Sequence, residues 1–119
     1  MSKKILLVDD DPVARIFLTE TLTAKGYSVT TFDSPISAMP YAEVETFDVA
    51  ILDTYMPGLS GVEFFAELRR LAHLQRIKVI MMSADKDCFN LLEEAGLIPD
   101  KVLLKPIKFG NLVAAIEEN

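Results

Sequence analysis

Four short apolar runs in this chain each end on a side chain that can accept or hold a phosphoryl group. Ile5–Val8 runs into Asp9 and Asp10, Val49–Leu52 into Asp53, Val79–Met82 into Ser83, and Val102–Leu104 into Lys105. Three carboxylates gathered in a partly desolvated crevice repel one another, and such a cluster persists only when protons or a cation neutralise it. Donors that are all oxygen, with no His or Cys close by in sequence, suit a hard divalent ion, and Mg2+ above others. Bound there, the ion would shield an incoming phosphate and leave one carboxylate free to attack phosphorus, giving an aspartyl phosphate. Lys105 and the Ser83 hydroxyl suit the oxygens of the transferred group, helped by backbone N–H groups after Asp53 and Ser83.

This chemistry needs elements that bring the four run ends together. Runs this short and apolar, separated by helical patterns, read as strands buried on both faces of a parallel sheet, whose ligands sit beyond the carboxyl ends of the strands. Asp11-Pro12 caps and opens a first helix whose stripe is Ala14, Phe17, Leu18, Thr21 and Leu22, and Gly26 ends it. Val29–Phe32 mixes apolar and polar residues, as suits an edge strand. Ser34-Pro35 opens a second helix that Pro40 should kink or cut short. Ser60 caps a third helix, with Phe64, Phe65, Leu68, Leu71 and Ala72 facing the sheet. A fourth carries Cys88, Leu91, Leu92 and Ala95 on one side and stops at Gly96, and a fifth carries Leu112, Val113 and Ile116. Five strands alternating with five helices predict an α/β protein, a three-layer αβα sandwich with right-handed crossovers.

At 119 residues and 50% hydrophobic, the chain has enough apolar material for one unaided core, and residues 1–119 read as a single domain. The lone Cys88 has no internal disulfide partner and fits a packed small hydrophobe in a reducing cytoplasm. No apolar stretch approaches the roughly 20 residues of a membrane span, and the start of the chain is too short for a signal peptide. A net charge of −6 repels nucleic-acid backbones, so direct binding to DNA or RNA is not expected. His73, close to a helix end, fits a polar cap there, and Ile16 and Val62 lie off their stripes as exposed apolar residues.

The strand-end motifs together resemble the receiver domain of bacterial two-component response regulators. Leu6-Leu7-Val8-Asp9-Asp10-Asp11-Pro12, followed by Arg15, Leu18, Leu22 and Gly26-Tyr27, is similar to that family's first strand and helix. Asp53-Thr54-Tyr55-Met56-Pro57-Gly58 with Gly61 is similar to its phosphoacceptor loop, Met82-Ser83-Ala84 to its hydroxyl-bearing turn, and Leu104-Lys105-Pro106 to its lysine and proline. The resemblance covers essentially the whole chain. It implies the strand order 2-1-3-4-5 shared by flavodoxin and CheY. It also implies Asp53 as acceptor of phosphate from a sensor histidine kinase or histidine phosphotransfer protein. Asp10 and Asp53 would ligate Mg2+ directly, Tyr55 through its carbonyl and Asp9 through water. Ser83 and Lys105 would grip the phosphoryl oxygens, and the Lys105–Pro106 bond would be cis. Such a domain is a cytoplasmic signalling switch, not an enzyme on other substrates. It catalyses its own phosphorylation and dephosphorylation, and acts on a downstream target or a further output domain.

Receivers of this kind carry Tyr or Phe three residues before the lysine, where this chain has Val102. The surface formed by the fourth helix, Val102 and the last helix, with Phe89 at its margin, is expected to carry the phosphorylation signal without a swinging ring. The alternative reading is a pseudo-receiver that binds partners without phosphate. A flavin carrier would need a neutral, hydroxyl-rich first loop, and a haloacid dehalogenase-type phosphatase a second acid where Tyr55 stands.

Overall fold

The computed structural model describes residues 3–56 and 58–118. Strands β1 (Lys4–Val8), β2 (Ser28–Phe32), β3 (Val49–Asp53), β4 (Lys78–Ser83) and β5 (Lys101–Leu104) form one sheet of order β2-β1-β3-β4-β5. All pairings are parallel. The helices are α1 (Pro12–Ala24), α2 (Pro35–Val44), α3 (Gly61–Arg70), α4 (Cys88–Ala95) and α5 (Phe109–Glu117), and a single 3-10 turn, Ala72–Leu74, follows α3. Both the five-strand order and the helix alternation match expectation.

Every residue of β3 is buried, as is β1 beyond its first residue, because both faces of the sheet are covered. Alternate side chains supply two cores. Leu6, Val8, Ala50, Leu52, Val79 and Met81 pack with Ala38 and Ala42 of α2, Phe64, Phe65 and Leu68 of α3 and Leu92 of α4. Ile5, Leu7, Val49, Ile51, Ile80 and Met82 pack on the opposite face with Leu18 and Leu22 of α1 and Leu112 and Ile116 of α5. No helix among the described residues is long and apolar enough to cross a membrane.

The helix ends follow their local chemistry. The Asp11 carboxylate accepts the Val13 N–H, Ser34 Oγ accepts the Ser37 N–H, and Ser60 and Glu63 form a reciprocal capping box. At the end of α4, Gly96 adopts φ +70°, a left-handed conformation that other residues reach only with strain.

Several expected details are corrected. Pro40 does not cut α2 short. Its ring lies on the exposed side, where water can satisfy the carbonyl of Ile36, while Ala38 and Ala42 keep the buried side close to the sheet. Phe17, expected to face the core, is 56% exposed, and Val62, expected outside, is buried with Met56 under the β3–α3 loop. Ala72 is exposed beyond the end of α3, and Leu91 and Ala95 lie on the solvent side of α4. His73 does not cap its own helix. Its Nε2 pairs at 2.8 Å with the carbonyl of Ala42, one of the open carbonyls at the end of α2.

Candidate functional site

Register places the chemistry at one edge. Val8 pairs with Leu52, Asp53 with Met82 and Ser83 with Leu104, so Asp9, Asp53, Ser83 and Lys105 leave the sheet side by side. Asp9 is held from three directions: its N–H donates to the Phe32 carbonyl, its carbonyl accepts from Arg15 at 2.8 Å, and its Oδ1 accepts from the Asp11 N–H at 3.0 Å. Its Oδ2 is buried and has no hydrogen-bond partner among the described residues. The Lys105 ammonium stands 3.7 Å from that oxygen and 3.3 Å from Asp53 Oδ1.

Asp53 closes β3 and is fixed by its neighbours. Its Oδ1 also accepts the Thr54 N–H at 3.0 Å, and the Thr54 hydroxyl donates to the Met82 carbonyl at 2.8 Å, stitching the loop to β4. The Gly61 N–H returns to the Thr54 carbonyl at 2.9 Å. A Cβ on Gly61 would lie 1.9 Å from the Asp53 carbonyl oxygen, so only glycine allows α3 to start this close to Asp53.

The electrostatics oppose ionisation of Asp53. Burial, then the Asp9 charge, raise the Asp53 carboxyl from 3.8 to about 6; Lys105 pulls it down, and Asp10 adds a smaller upward push. One carboxylate oxygen each from Asp9, Asp10 and Asp53 lies within 4.8 Å of the others. Asp9 and Asp53 are buried while Asp10 is exposed, so the cluster opens to solvent on one side.

Ser83 is brought to the same edge, but its hydroxyl is engaged elsewhere. It donates to the Asp85 carbonyl at 2.8 Å and accepts the Asp85 N–H at 3.1 Å. The Lys105 N–H donates to the Ser83 carbonyl at 2.7 Å, so hydroxyl and ammonium are tied through the backbone. The Lys105–Pro106 bond is cis. Tyr55 is 46% exposed. Its phenol is pushed up by desolvation and by Asp85, Asp87 and Cys88.

Sequence reasoning gave no role to Thr54 or Arg15 beyond their place in motifs. A buried β-branched hydroxyl directly after a strand-ending Asp was the available signal for Thr54. Arg15 carries no such signal, because its reach to the Asp9 carbonyl exists only once α1 folds back.

The receiver-domain profile, described as the response regulator receiver domain, matches residues 5–117, and the chain belongs to that family of two-component signalling domains. It is 34% identical over 117 residues to the response regulator receiver protein CpdR of Brucella abortus, covering 98% of this chain and 95% of that protein. The chain spans about half the length of other curated relatives. One is the transcriptional activator protein IrlR of Burkholderia pseudomallei, 29% identical over 95% of this chain and 48% of that protein. Among solved structures, the receiver domain of a Pseudomonas aeruginosa sensor histidine kinase superposes with a TM-score of 0.88 at 28% identity, covering 98% of this chain and 96% of that one; it holds a magnesium ion in its active-site cleft.

Proposed function

We propose that this chain accepts a phosphoryl group on Asp53 from a phosphohistidine of a sensor kinase or phosphotransfer protein, with Mg2+, and passes the signal through a changed surface. The observation that carries this reading is Lys105 set 3.3 Å from Asp53 inside a cluster of three carboxylates. The residues fit Mg2+: all donors are oxygen, one side is open to water, and the buried Asp9 Oδ2 lacks a partner. Asp10, Asp53 and the Tyr55 carbonyl would hold the ion directly and Asp9 through water. When bound, it neutralises the carboxylates and the phosphoryl oxygens.

The chain's own groups set up an in-line displacement. Lys105 and the Thr54 N–H hold Asp53 Oδ1, which fixes the rotamer and leaves Oδ2 to attack phosphorus. A bond from Oδ2 to phosphorus forms as the bond from phosphorus to the donor imidazole nitrogen breaks. That nitrogen keeps the electron pair, and the imidazole leaves neutral because its other ring nitrogen already carries a proton in the phosphohistidine. Lys105 then follows the charge to a phosphoryl oxygen, and the Ser83 hydroxyl leaves the Asp85 carbonyl to donate to another. Hydrolysis of the acyl phosphate restores the carboxylate, which makes the domain a timed switch acting on itself.

The rim also suits a protein donor. Val13, Ile16 and Phe17 of α1 are 75%, 58% and 56% exposed, and Phe17 lines a pocket shared with Asp9 and Lys105. Ile16 is thus part of an apolar patch beside the crevice, where a donor helix would cover the reacting atoms. On the output side, Val102 is partly buried against the core and lines a groove with Phe89 of α4 and Leu97, and phosphorylation biases this α4–β5–α5 surface toward a cytoplasmic target or an output domain.

Borohydride reduction of the phosphorylated protein, followed by peptide mass mapping, tests the acceptor. Reduction of an aspartyl phosphate leaves homoserine, expected at position 53 and nowhere else. Label at Ser83 or His73, or no homoserine at 53, contradicts the reading.

A further inference from the structure

Helix α2 is apolar on both sides. Ala38 and Ala42 are fully buried against the sheet. At 100° per residue the opposite face is centred on Pro40, flanked by Ile36 and Val44, and these three form one ridge with a spacing of four residues. Ile36 is 67% exposed, Val44 78%, and Pro40 is also exposed. A helix with apolar residues all round is normally buried, and a continuous exposed ridge marks a surface that something covers.

The charge around this ridge says what kind of partner fits. Residues 26–68 hold seven carboxylates and no Lys or Arg, while the rest of the chain is close to neutral. Asp33 precedes α2, Glu43 lies beside the ridge and Glu45 follows it, and all three are exposed. Pro40 has no N–H to give the Ile36 carbonyl, so an acceptor also stays open on this face. An acidic rim around an apolar ridge repels nucleic acid and anionic lipid. It also repels a second copy docking through the same face.

We infer that the outer face of α2 is a docking surface for a basic amphipathic helix of a partner protein, whose apolar ridge packs across Ile36, Pro40 and Val44 with Lys or Arg over Glu43, Glu45 and Asp33. Two packed helices of this kind meet ridge into groove, and the flanking charges set orientation and on-rate. The site lies outside the phosphoacceptor crevice but is not remote from it. A Cβ on Gly58 would meet Ile36 Cδ1 at 3.3 Å, so the partner's end over Ile36 would also reach the loop that follows Asp53.

The test titrates the isotope-labelled chain with two designed helical peptides of equal length, each with a leucine ridge. One is flanked by Lys and Arg, the other by Glu. The basic peptide is expected to shift amide signals of residues 36–44, while the acidic one has no effect. Val44→Asp, and separately the pair Glu43→Lys and Glu45→Lys, should each weaken binding about tenfold. Unchanged thermal unfolding and unchanged labelling by acetyl phosphate would show that both variants keep the fold and the acceptor site. Shifts centred elsewhere, or equal affinity in Val44→Asp, would overturn the inference. So would a solution dimer that Val44→Asp dissociates, since the occupant would then be a second copy.

Discussion

Asp53 is the residue on which structure and chemistry pull apart. Its carboxyl sits at about 6 because burial and Asp9 disfavour its charge, yet the proposed transfer needs it ionised. In the folded state it binds its proton more tightly than in the unfolded chain. Stability is therefore unaffected well below 3.8, falls as pH rises between 3.8 and about 6, and stays lowered above that, by at most about 3 kcal/mol. Asp53→Asn should thus unfold at higher urea than wild type at pH 7.5 without metal. That advantage should vanish near pH 4, and Mg2+ should shrink it at pH 7.5 by binding the folded wild type. A difference that persists at pH 4 would contradict this balance. Gly61 makes the opposite case, a residue whose importance is steric. Gly61→Ala forces a Cβ into the Asp53 carbonyl and should cost about 3 kcal/mol or more, read by urea unfolding. The placement of Asp53, Lys105 and Ser83 at one edge was legible in sequence because each ends an apolar run. The Asp9 Oδ2 orphan was not, since no local pattern reports which carboxylate oxygen lacks a partner.

At the scale of elements, strand ends and caps were the most readable features. Unbroken apolar runs and the Asp11, Ser34 and Ser60 caps depend on neighbours within a few residues. Errors arose where a helix face meets something distant in sequence. Phe17 follows the α1 stripe but is exposed beside Asp9 and Lys105, and Val62 leaves the α3 stripe but is buried in the same core cluster as Met56. Periodicity marks which face is apolar and not where the covering layer stops. The exposed α1 patch has a function-level consequence. Ile16→Asp should slow transfer from a phosphorylated histidine-containing protein by about tenfold while leaving labelling by acetyl phosphate unchanged, because the small donor needs no rim. Equal slowing with both donors would mean that the substitution disturbs the crevice itself.

Over the whole molecule, one doubly wound sheet gathers four strand ends into a single acidic crevice, and the charge is unevenly spread around it. The β2–α3 half carries the acidic excess, while Lys105 supplies the cation that faces the Asp53 carboxylate. Net charge was legible at once, but its segregation matters only after folding puts α2 outermost. Val102 shows the same limit. Its position before Lys105 was clear in the sequence, whereas the groove it lines with Phe89 and Leu97 is a property of the assembled layers. The most direct measurement is intact mass after incubation with acetyl phosphate, with and without Mg2+, for wild type and Asp53→Ala. The account predicts a gain of one phosphoryl group in wild type that requires Mg2+ and is absent from the variant. No gain in wild type, even with a phosphorylated histidine donor, or the same gain in Asp53→Ala, would contradict it.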